Sequence, residues 1–347
     1  MKRNVLGNTD LRVPELCLGS MTWGYRNSAD EAFAQIEFAL DRGINFIDTA
    51  EMYPFCPNIG EFLGRTEQII GDWNAKSKRR SEYILATKHS GAGLRAARDG
   101  APITAESIPL AIEGSLRRLK TDYIDLYQFH WPNRGSYMFR QNWAYDPSHQ
   151  VKSETLDNMR ECLQALETEV QRGTIRHFGL SNESCWGTSQ WLQISEAGVG
   201  PQVVSIQNEY SLLCRLYDTD LAELSVNENV GLLAFSPLAT GLLTGKYQDG
   251  AVPKGSRMEM GANLGGRATP QSFAAVQAYL EIAGRHQIDP VHLSLAFCRT
   301  RPFMASAIFG ATSLTQLETV INSADVELSD EVLEEINQVH QAHPMPF

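Results

Sequence analysis

One short stretch decides the fold: residues 30–49, which read DEAFAQIEFALDRGINFIDT. Apolar residues such as Phe33 and Ile36 recur there at the spacing of one helix face, and Gly43 stands where a helix would end. The apolar run Asn45–Thr49 follows at once and has the length of a buried strand. A helix that leads directly into a strand is half of a βαβ unit, from which parallel sheets are built.

The same alternation repeats along the chain. Further helical spacing occurs at Ser107–Lys120, Glu154–Arg172 and Ser313–Asn322. Eight alternations without a linker rich in Pro, Gly or Ser predict one domain, residues 1–347, folded as a (β/α)8 TIM barrel. A doubly wound sheet is the alternative, and it would normally show a phosphate-binding fingerprint after its first strand. The predicted strands are Leu16–Met21, Asn45–Thr49, Tyr83–Lys88, Ile124–His130, Ile175–Leu180, Val203–Gln207, Gly231–Ser236 and Ser306–Ala311.

Additional segments flank or interrupt the barrel pattern. Lys2–Leu6 and Leu11–Val13 enclose a turn cluster and predict an N-terminal β-hairpin. Asp330–Gln341 predicts a C-terminal helix on the outside. Three βα loops are longer than usual, and each follows the carboxyl end of a strand, the face where barrels of this kind hold their active sites. These loops are Met52–Leu63, Ser90–Ala105 and Trp131–Lys152.

Composition excludes several classes of function. The net charge of −11 argues against nucleic acid as a partner, because such proteins need a basic face. The most apolar stretch, Val230–Leu243, is interrupted by polar residues and falls short of the roughly 20 that a membrane span needs. Polar residues at Gly7–Arg12 argue against a signal peptide. Six scattered cysteines, without ligand spacing, predict reduced thiols, no metal site and a cytoplasmic location.

Polar residues end three of the predicted strands, where a core would place apolar ones. These residues are Asp48, Lys88 and His130, and Tyr53 lies in the loop after the first of them. An ammonium about 4 Å from a phenol favours the phenolate by roughly 4 kcal/mol, which would lower the pKa of Tyr53 toward neutrality. Asp48 would keep Lys88 charged, and His130 would donate to a carbonyl oxygen. The set predicts proton donation to an oxyanion, which requires a hydride source.

These segments resemble a known family. GINFIDTAEMY at 43–53, ATK at 86–88 and QFHWP at 128–132 are similar to the tetrad blocks of the aldo-keto reductases, most closely to their bacterial Tas-like branch. The resemblance extends from Leu18–Gly24 to Gly310–Thr312. It implies a (β/α)8 carbonyl reductase that uses NADP(H) on a small-molecule carbonyl substrate. The general acid would be Tyr53, tuned by Lys88 and Asp48, and His130 would orient the carbonyl.

The resemblance also implies a cofactor site on the later strand ends. Ser181, Asn182 and Gln207 match the contacts of the nicotinamide carboxamide, and Phe235 matches the aromatic residue that stacks on the ring. The implied cofactor contacts are Ser20, Met21, Asp48, Ser181, Asn182, Gln207, Phe235, Ser236, Leu238, Gly241, Lys246, Arg257, Gly310, Thr312 and Gln316.

The last of these blocks departs from the family pattern. Thr319 and Val320 stand where the family usually has Glu-Asn beside the adenine, and Glu318 adds a negative charge near the place of a 2′-phosphate. Arg257 and a helix N-terminus at Ser313 remain to support the phosphate. NADPH is the expected cofactor, and NADH is not excluded.

The substrate pocket is predicted from aromatic residues near the tetrad: Trp23, Tyr53, His130 and Trp131. The aromatic content of the Trp131–Lys152 loop favours a bulky or aromatic carbonyl, and its arginines could attract a carboxylate. A different class of function stays open, a redox-sensing module that binds NADP(H), turns over little and acts through a protein partner. The sequence leaves the oligomeric state, the substrate and the pathway open.

The glycine pattern at Gly91–Ala96 follows a predicted strand but lacks the acidic residue that a dinucleotide fold places on a second strand. It predicts a flexible loop at the active site.

Overall fold

The structure, a computed structural model, describes all residues from Met1 to Phe347. Each strand predicted from the sequence is present, with ends that differ by at most two residues. The ten strands are β1 (Arg3–Val5), β2 (Arg12–Pro14), β3 (Leu16–Gly19), β4 (Phe46–Asp48), β5 (Ile84–His89), β6 (Ile124–Phe129), β7 (Ile175–Ser181), β8 (Val203–Glu209), β9 (Gly231–Phe235) and β10 (Met304–Phe309).

Strands β3 to β10 close into a barrel in which every neighbouring pair is parallel. The order around the barrel follows the chain, and β10 pairs with β3 to complete the ring. This closure confirms the predicted (β/α)8 barrel and excludes the doubly wound alternative, whose sheet stays open.

Helices connect the strands and cover the outside of the barrel. Ser28 caps the first helix through a capping box with Glu31, and Ser313 caps the helix after β10 as its sequence predicts. The helices are α1 (Ala29–Asp41), α2 (Ile59–Phe62), α3 (Arg65–Ser77), α4 (Ser107–Leu119), α5 (Lys152–Gln171), α6 (Cys185–Glu196), α7 (Asp220–Glu228), α8 (Arg257–Met260), α9 (Pro270–Arg285), α10 (Pro290–Arg299), α11 (Leu314–Asn322) and α12 (Asp330–Ala342).

The N-terminal hairpin closes the amino end of the barrel. Strands β1 and β2 pair antiparallel, as predicted, and Leu6 and Val13 are fully buried in one cluster with barrel residues such as Phe46. A Cβ at Gly7, whose φ is +58°, would lie 2.8 Å from Val204. Glycine therefore allows both the turn and its close approach to β8.

The remaining core lies between the barrel and its helices, in one large apolar cluster. The C-terminal helix α12 lies outside against α9, in line with its predicted position. None of the helices combines the length and the apolar character that crossing a lipid bilayer requires. All six cysteines are free.

Candidate active site

The structure brings three of the predicted tetrad residues together at the carboxyl ends of β4, β5 and β6. These strands are neighbours, so Asp48 and Lys88 meet inside the barrel mouth. Lys88 Nζ donates to Asp48 Oδ2 at 2.6 Å and to the carbonyl of Thr49 at 2.7 Å. The same Nζ lies 5.0 Å from the centre of the Tyr53 ring. Tyr53, in the loop after β4, is thus held above an ion pair.

His130 faces Tyr53 across this opening. The two rings meet edge to face, with centres 5.8 Å apart and planes at 76°. Burial lowers the pKa of His130 well below its ordinary value, and the charge of Lys88 lowers it further. Its imidazole is therefore neutral near pH 7 and carries one N–H donor. Its Nδ1 is buried without a partner in the protein.

Lys88 stays charged although its side chain has no exposed surface. Burial acts to lower its pKa, but the attraction of Asp48 and the proximity of Tyr53 outweigh burial, so the pKa lies above its ordinary value. This agrees with the expectation that Asp48 holds the ammonium in its charged form.

Tyr53 departs from its expected pKa. Burial raises the pKa of the phenol, the charge of Lys88 lowers it, and Asp48 raises it again, so that the pKa lies above its ordinary value. The expected shift toward neutrality is wrong because it counts the ammonium without desolvation and without the nearby carboxylate. Tyr53 consequently keeps its proton at neutral pH and is available as a donor.

The second oxygen of Asp48 is held by two buried amides. Gln207 Nε2 donates to Asp48 Oδ1 at 2.8 Å, and Gln128 Nε2 donates to the same oxygen at 3.3 Å. Gln207 Nε2 also donates to Gln128 Oε1 at 3.1 Å. Gln128 is not among the residues predicted from the sequence. The sequence feature that could have identified it is a polar amide residue within β6, two positions before His130 and therefore on the same face of the strand.

The residues predicted to hold the nicotinamide carboxamide lie beside this network, at the ends of β7 and β8. Ser181 Oγ donates to the carbonyl of Gln207 at 2.8 Å, and Asn182 Nδ2 donates to the carbonyl of His130 at 2.8 Å. Asn182 Oδ1 is buried without a partner, and Gln207 Oε1 accepts no bond within the protein. Two free acceptors suit a primary carboxamide, which offers two N–H donors.

The loop after β9 carries the next group of predicted contacts: Phe235, Ser236, Leu238 and Gly241 are all partly exposed. Ser236 and Gly241 both have left-handed backbones, with φ of 55° and 99°. A Cβ at Gly241 would lie 3.1 Å from Lys246 Nζ, so glycine lets the loop pass close to that cation.

Arg257 opens the short helix α8 as a cation with no counter-ion. Its side chain makes no ion pair or hydrogen bond with the protein, although that chain is partly buried. Burial, and then the charges of Arg26 and Arg267, lower the pKa of Arg257 to about 10. A positive charge without a partner fits an anionic group such as a phosphate. Arg26, which sequence patterns do not single out, donates to the carbonyl of Gly255 and so bridges two loops.

The residues predicted as cofactor contacts around β3 also hold the local loops together. Ser20 is fully buried, and its hydroxyl donates to the carbonyl of Asp48 at 2.8 Å, so its side chain supports the turn after β3. Met21 is partly exposed, and its carbonyl accepts from the amide of Phe55 at 3.2 Å. Met21 thereby ties the loop after β3 to the loop that carries Tyr53.

After β10, Gly310 and Thr312 are accessible, and Gln316 lies in the first turn of α11. Gln316 Oε1 accepts from the amide and hydroxyl of Thr312 at 3.0 and 3.1 Å, so this side chain organises the turn. Glu318 lies 4.0 Å from the guanidinium of Arg42 on α1. Both side chains are about half exposed, so Arg42 offsets the negative charge of Glu318 only in part.

Comparisons with known proteins place the chain. Residues 15–341 match the model of the Aldo/keto reductase family. The chain belongs to the aldo-keto reductase family. It is 41% identical to Protein tas of Escherichia coli over 100% of this chain and 99% of that protein. It is 30% identical to the uncharacterized oxidoreductase YrpG of Bacillus subtilis, over 98% of this chain and 96% of that protein. A probable voltage-gated potassium channel subunit beta of Arabidopsis thaliana is also 30% identical, over 99% and 98%.

Two tryptophans predicted to line the substrate pocket of this aldo-keto reductase differ in burial: Trp131 is partly exposed and Trp23 is not. Trp131 is partly exposed beside His130, with ring centres 5.0 Å apart, and its Nε1 donates to the carbonyl of Ala92 at 2.9 Å. Trp23 is fully buried, and its Nε1 donates to Gln35 at 3.0 Å. Trp23 therefore belongs to the core, where its amide partner satisfies the indole, and the prediction that it lines the pocket is wrong.

The glycine pattern after β5 has a packing role in the reductase. A Cβ at Gly91 would overlap the ring of Trp131, so glycine makes room for this aromatic side chain. Together with the bond from Trp131 to Ala92, this contact fixes the start of the loop, in contrast to the flexibility that its glycines predict.

The arginines of the Trp131–Lys152 loop are already paired in the reductase. Arg134 forms a two-pronged bond with Glu183, one prong being 3.0 Å, and Arg140 binds Glu209 at 2.8 Å. Glu209 also accepts from Arg267 at 2.6 Å. These cations hold the loop to the ends of β7 and β8, and the expectation that they attract a substrate carboxylate is not supported.

Proposed function

We propose that this aldo-keto reductase transfers a hydride from NADPH to the carbonyl carbon of a small aldehyde or ketone. The observation that carries the proposal is the Asp48–Lys88 ion pair beneath Tyr53, with a neutral His130 edge to face with the phenol. Residues 1–347 would act as one domain, in the cytoplasm. A bound nicotinamide cofactor supplies the hydride, and the side chains of this protein orient and protonate the carbonyl oxygen.

Each residue has a distinct task in this proposal. Tyr53 donates its proton to the carbonyl oxygen as negative charge develops there. The ammonium of Lys88 then stabilises the phenolate, and Asp48 keeps that ammonium charged. His130, neutral because of burial, donates one hydrogen bond to the same carbonyl oxygen and orients it. The high pKa of Tyr53 suits a residue that must arrive protonated.

NADPH is proposed over NADH on the basis of charge. Arg257 is a partly buried cation without a counter-ion, and Lys246 lies beside the loop after β9. Arg42 lies 4.0 Å from Glu318 and partly offsets its repulsion of a phosphate. The 2′-phosphate of NADPH would therefore meet unpaired positive charge, which NADH, with a hydroxyl at that position, would leave uncompensated.

The test is consumption of NADPH with a panel of aromatic and aliphatic aldehydes. Tyr53→Phe is expected to lower kcat at least about 100-fold while the Kd for NADPH changes less than about twofold, because only the proton donor is removed. Tyr127→Phe is the matched control, since this buried hydroxyl has no partner and lies on the outer side of β6. Equal rates for Tyr53→Phe and the parent protein would refute the proposal.

A second candidate is the sensing module, favoured by the 30% identity to a protein named as a potassium channel subunit beta. A sensor would bind NADPH tightly and reduce none of the carbonyls. The same panel separates the two functions, because turnover that depends on Tyr53 belongs only to the enzyme.

A further inference from the structure

The orientation of the Gln207 amide is fixed by a count of hydrogen bonds. A carboxylate oxygen only accepts, so the group that meets Asp48 Oδ1 at 2.8 Å must be the Nε2 of Gln207. The second hydrogen of Nε2 is directed to Gln128 Oε1 at 3.1 Å. Both donors of Gln207 are therefore used, and Oε1 is its one free polar atom.

Gln128 supplies the second of these two anchors. Gln128 and Gln207 are buried, with exposed fractions of 0% and 3%. With Asp48 alone, the amide plane of Gln207 could rotate about one hydrogen bond, and Oε1 would have no fixed direction. The bond to Gln128 fixes the plane, and Gln128 is itself held by its Nε2 bond to Asp48 at 3.3 Å.

Gly179 lies next to both Gln128 and Ser205, and its missing side chain leaves room for the hydroxyl of Ser205. A Cβ at Gly179 would lie 2.5 Å from Ser205 Oγ and 3.4 Å from Gln128 Cγ. The hydroxyl of Ser205 is buried without a partner, so it takes no part in the amide network. Ser205 thus provides a control in the same layer of the barrel.

We propose that Gln128 is a positioning residue that directs Gln207 Oε1 toward the carboxamide N–H donors of the cofactor. The proposal rests on the proposed function, since it assumes that a nicotinamide nucleotide binds at this mouth. Asn182 Oδ1, the other free acceptor, would take the second N–H. Gln128 itself would contact neither cofactor nor substrate: its Oε1 fixes the amide of Gln207, and its Nε2 bond to Asp48 holds Gln128 in place.

The test compares two nucleotides by fluorescence titration of the purified protein. One is NADP⁺, and the other is its 3-acetylpyridine analogue, in which a methyl group replaces the carboxamide nitrogen. Gln128→Leu is expected to raise the Kd for NADP⁺ about tenfold, the worth of roughly one hydrogen bond, and the Kd for the analogue less than about twofold. Ser205→Ala is expected to change neither Kd.

A double substitution tests whether Gln128 acts through Gln207. In a Gln207→Leu background, adding Gln128→Leu is expected to change the Kd for NADP⁺ less than about twofold. A purely structural role would lower the melting temperature and weaken both nucleotides equally, and that result would overturn the proposal. If the parent protein reduces carbonyls but Gln128→Leu leaves both Kd values unchanged, the positioning role of Gln128 is refuted and the proposed function stands. A parent protein that binds no NADP(H) would refute the proposed function itself.

Discussion

Lys88 has no solvent contact, yet it is charged. Its ammonium is satisfied by Asp48 and by the carbonyl of Thr49, and Asp48 is satisfied in turn by two amides. A buried ion pair of this kind seldom adds stability over apolar residues of the same size, because desolvation offsets the attraction. Its presence at a strand end is therefore better explained by the chemistry proposed at Tyr53 than by folding.

Removing one member of the Asp48–Lys88 ion pair should reveal the desolvation cost of the buried charge that remains. Lys88→Met is expected to lower the free energy of unfolding by about 3–5 kcal/mol, because it leaves the buried carboxylate without its counter-ion. Adding Asp48→Asn should restore part of the loss, while carbonyl reduction stays abolished in both variants. Urea denaturation followed by circular dichroism measures the difference. A double variant less stable than Lys88→Met would contradict this explanation.

At the scale of elements, the long loops are fastened to the strand ends by arginine–glutamate pairs. Arg98, in the loop after β5, donates two hydrogen bonds of 2.7 and 2.9 Å to Glu51. Glu51 lies two residues before Tyr53 in the chain. Burial acts to raise the pKa of Glu51, but Arg98 and the nearby His89 outweigh it, and the pKa lies below its ordinary value. The same arrangement recurs where the Trp131–Lys152 loop meets β7 and β8.

The loop after β5 provides a matched pair of arginines for a test. Arg98→Met should lower the free energy of unfolding by about 1–3 kcal/mol, because Glu51 remains buried without its partner. Arg95→Met in the same loop should change it by less than about 0.5 kcal/mol, since Arg95 is exposed and makes no ion pair. Amide hydrogen exchange should also accelerate across 90–105 in the first variant only. Equal exchange in both variants would show that Arg98 does not hold the loop.

At the scale of the whole molecule, the sequence predicts the barrel well because its signals are local. Helical spacing and short apolar runs alternate along the chain, with glycines such as Gly43 and Gly173 after some of the helices, and closure follows from that repetition. The hairpin is also local, since its turn residues lie between its two strands. Asp48, Lys88 and His130 are predictable for the same reason, because each marks a strand end.

Other features depend on contacts between distant segments. The pairing of Arg98 with Glu51 cannot be read from either loop alone, and the burial of Trp23 depends on the position of Gln35. The pKa of Tyr53 likewise requires the depth of the phenol, which the sequence does not contain. Gln128 is inconspicuous on its own and becomes informative only beside Asp48.

The buried histidines give the molecule a pH-dependent stability. Burial lowers the pKa of His89 from 6.5 to about 4, and that of His130 falls well below 6.5. Between pH 6.5 and 4 the unfolded chain therefore binds more protons than the folded one. The free energy of unfolding consequently falls as the pH is lowered through this window, with His89 contributing about 3 kcal/mol.

Scanning calorimetry from pH 4 to pH 8 checks this expectation. The melting temperature should be nearly level above about pH 7 and should decline below pH 6.5. His89→Gln should flatten the decline, whereas His149→Gln, on the exposed surface, should not. A decline that is the same in His89→Gln and in the parent protein would assign the effect to other groups.

The hairpin that seals the amino end leaves the barrel with a single doorway. Leu6 and Val13 fill the amino end of the barrel, so the nucleotide and the carbonyl of the proposed function would both have to enter and leave past the carboxyl ends of the strands. The carboxamide acceptors lie deeper in that mouth than Trp131, which is partly exposed at its rim. Under the proposed function, a carbonyl bound beside Trp131 would lie between solvent and the nucleotide site, so we expect the nucleotide to bind before the carbonyl and to leave after the alcohol.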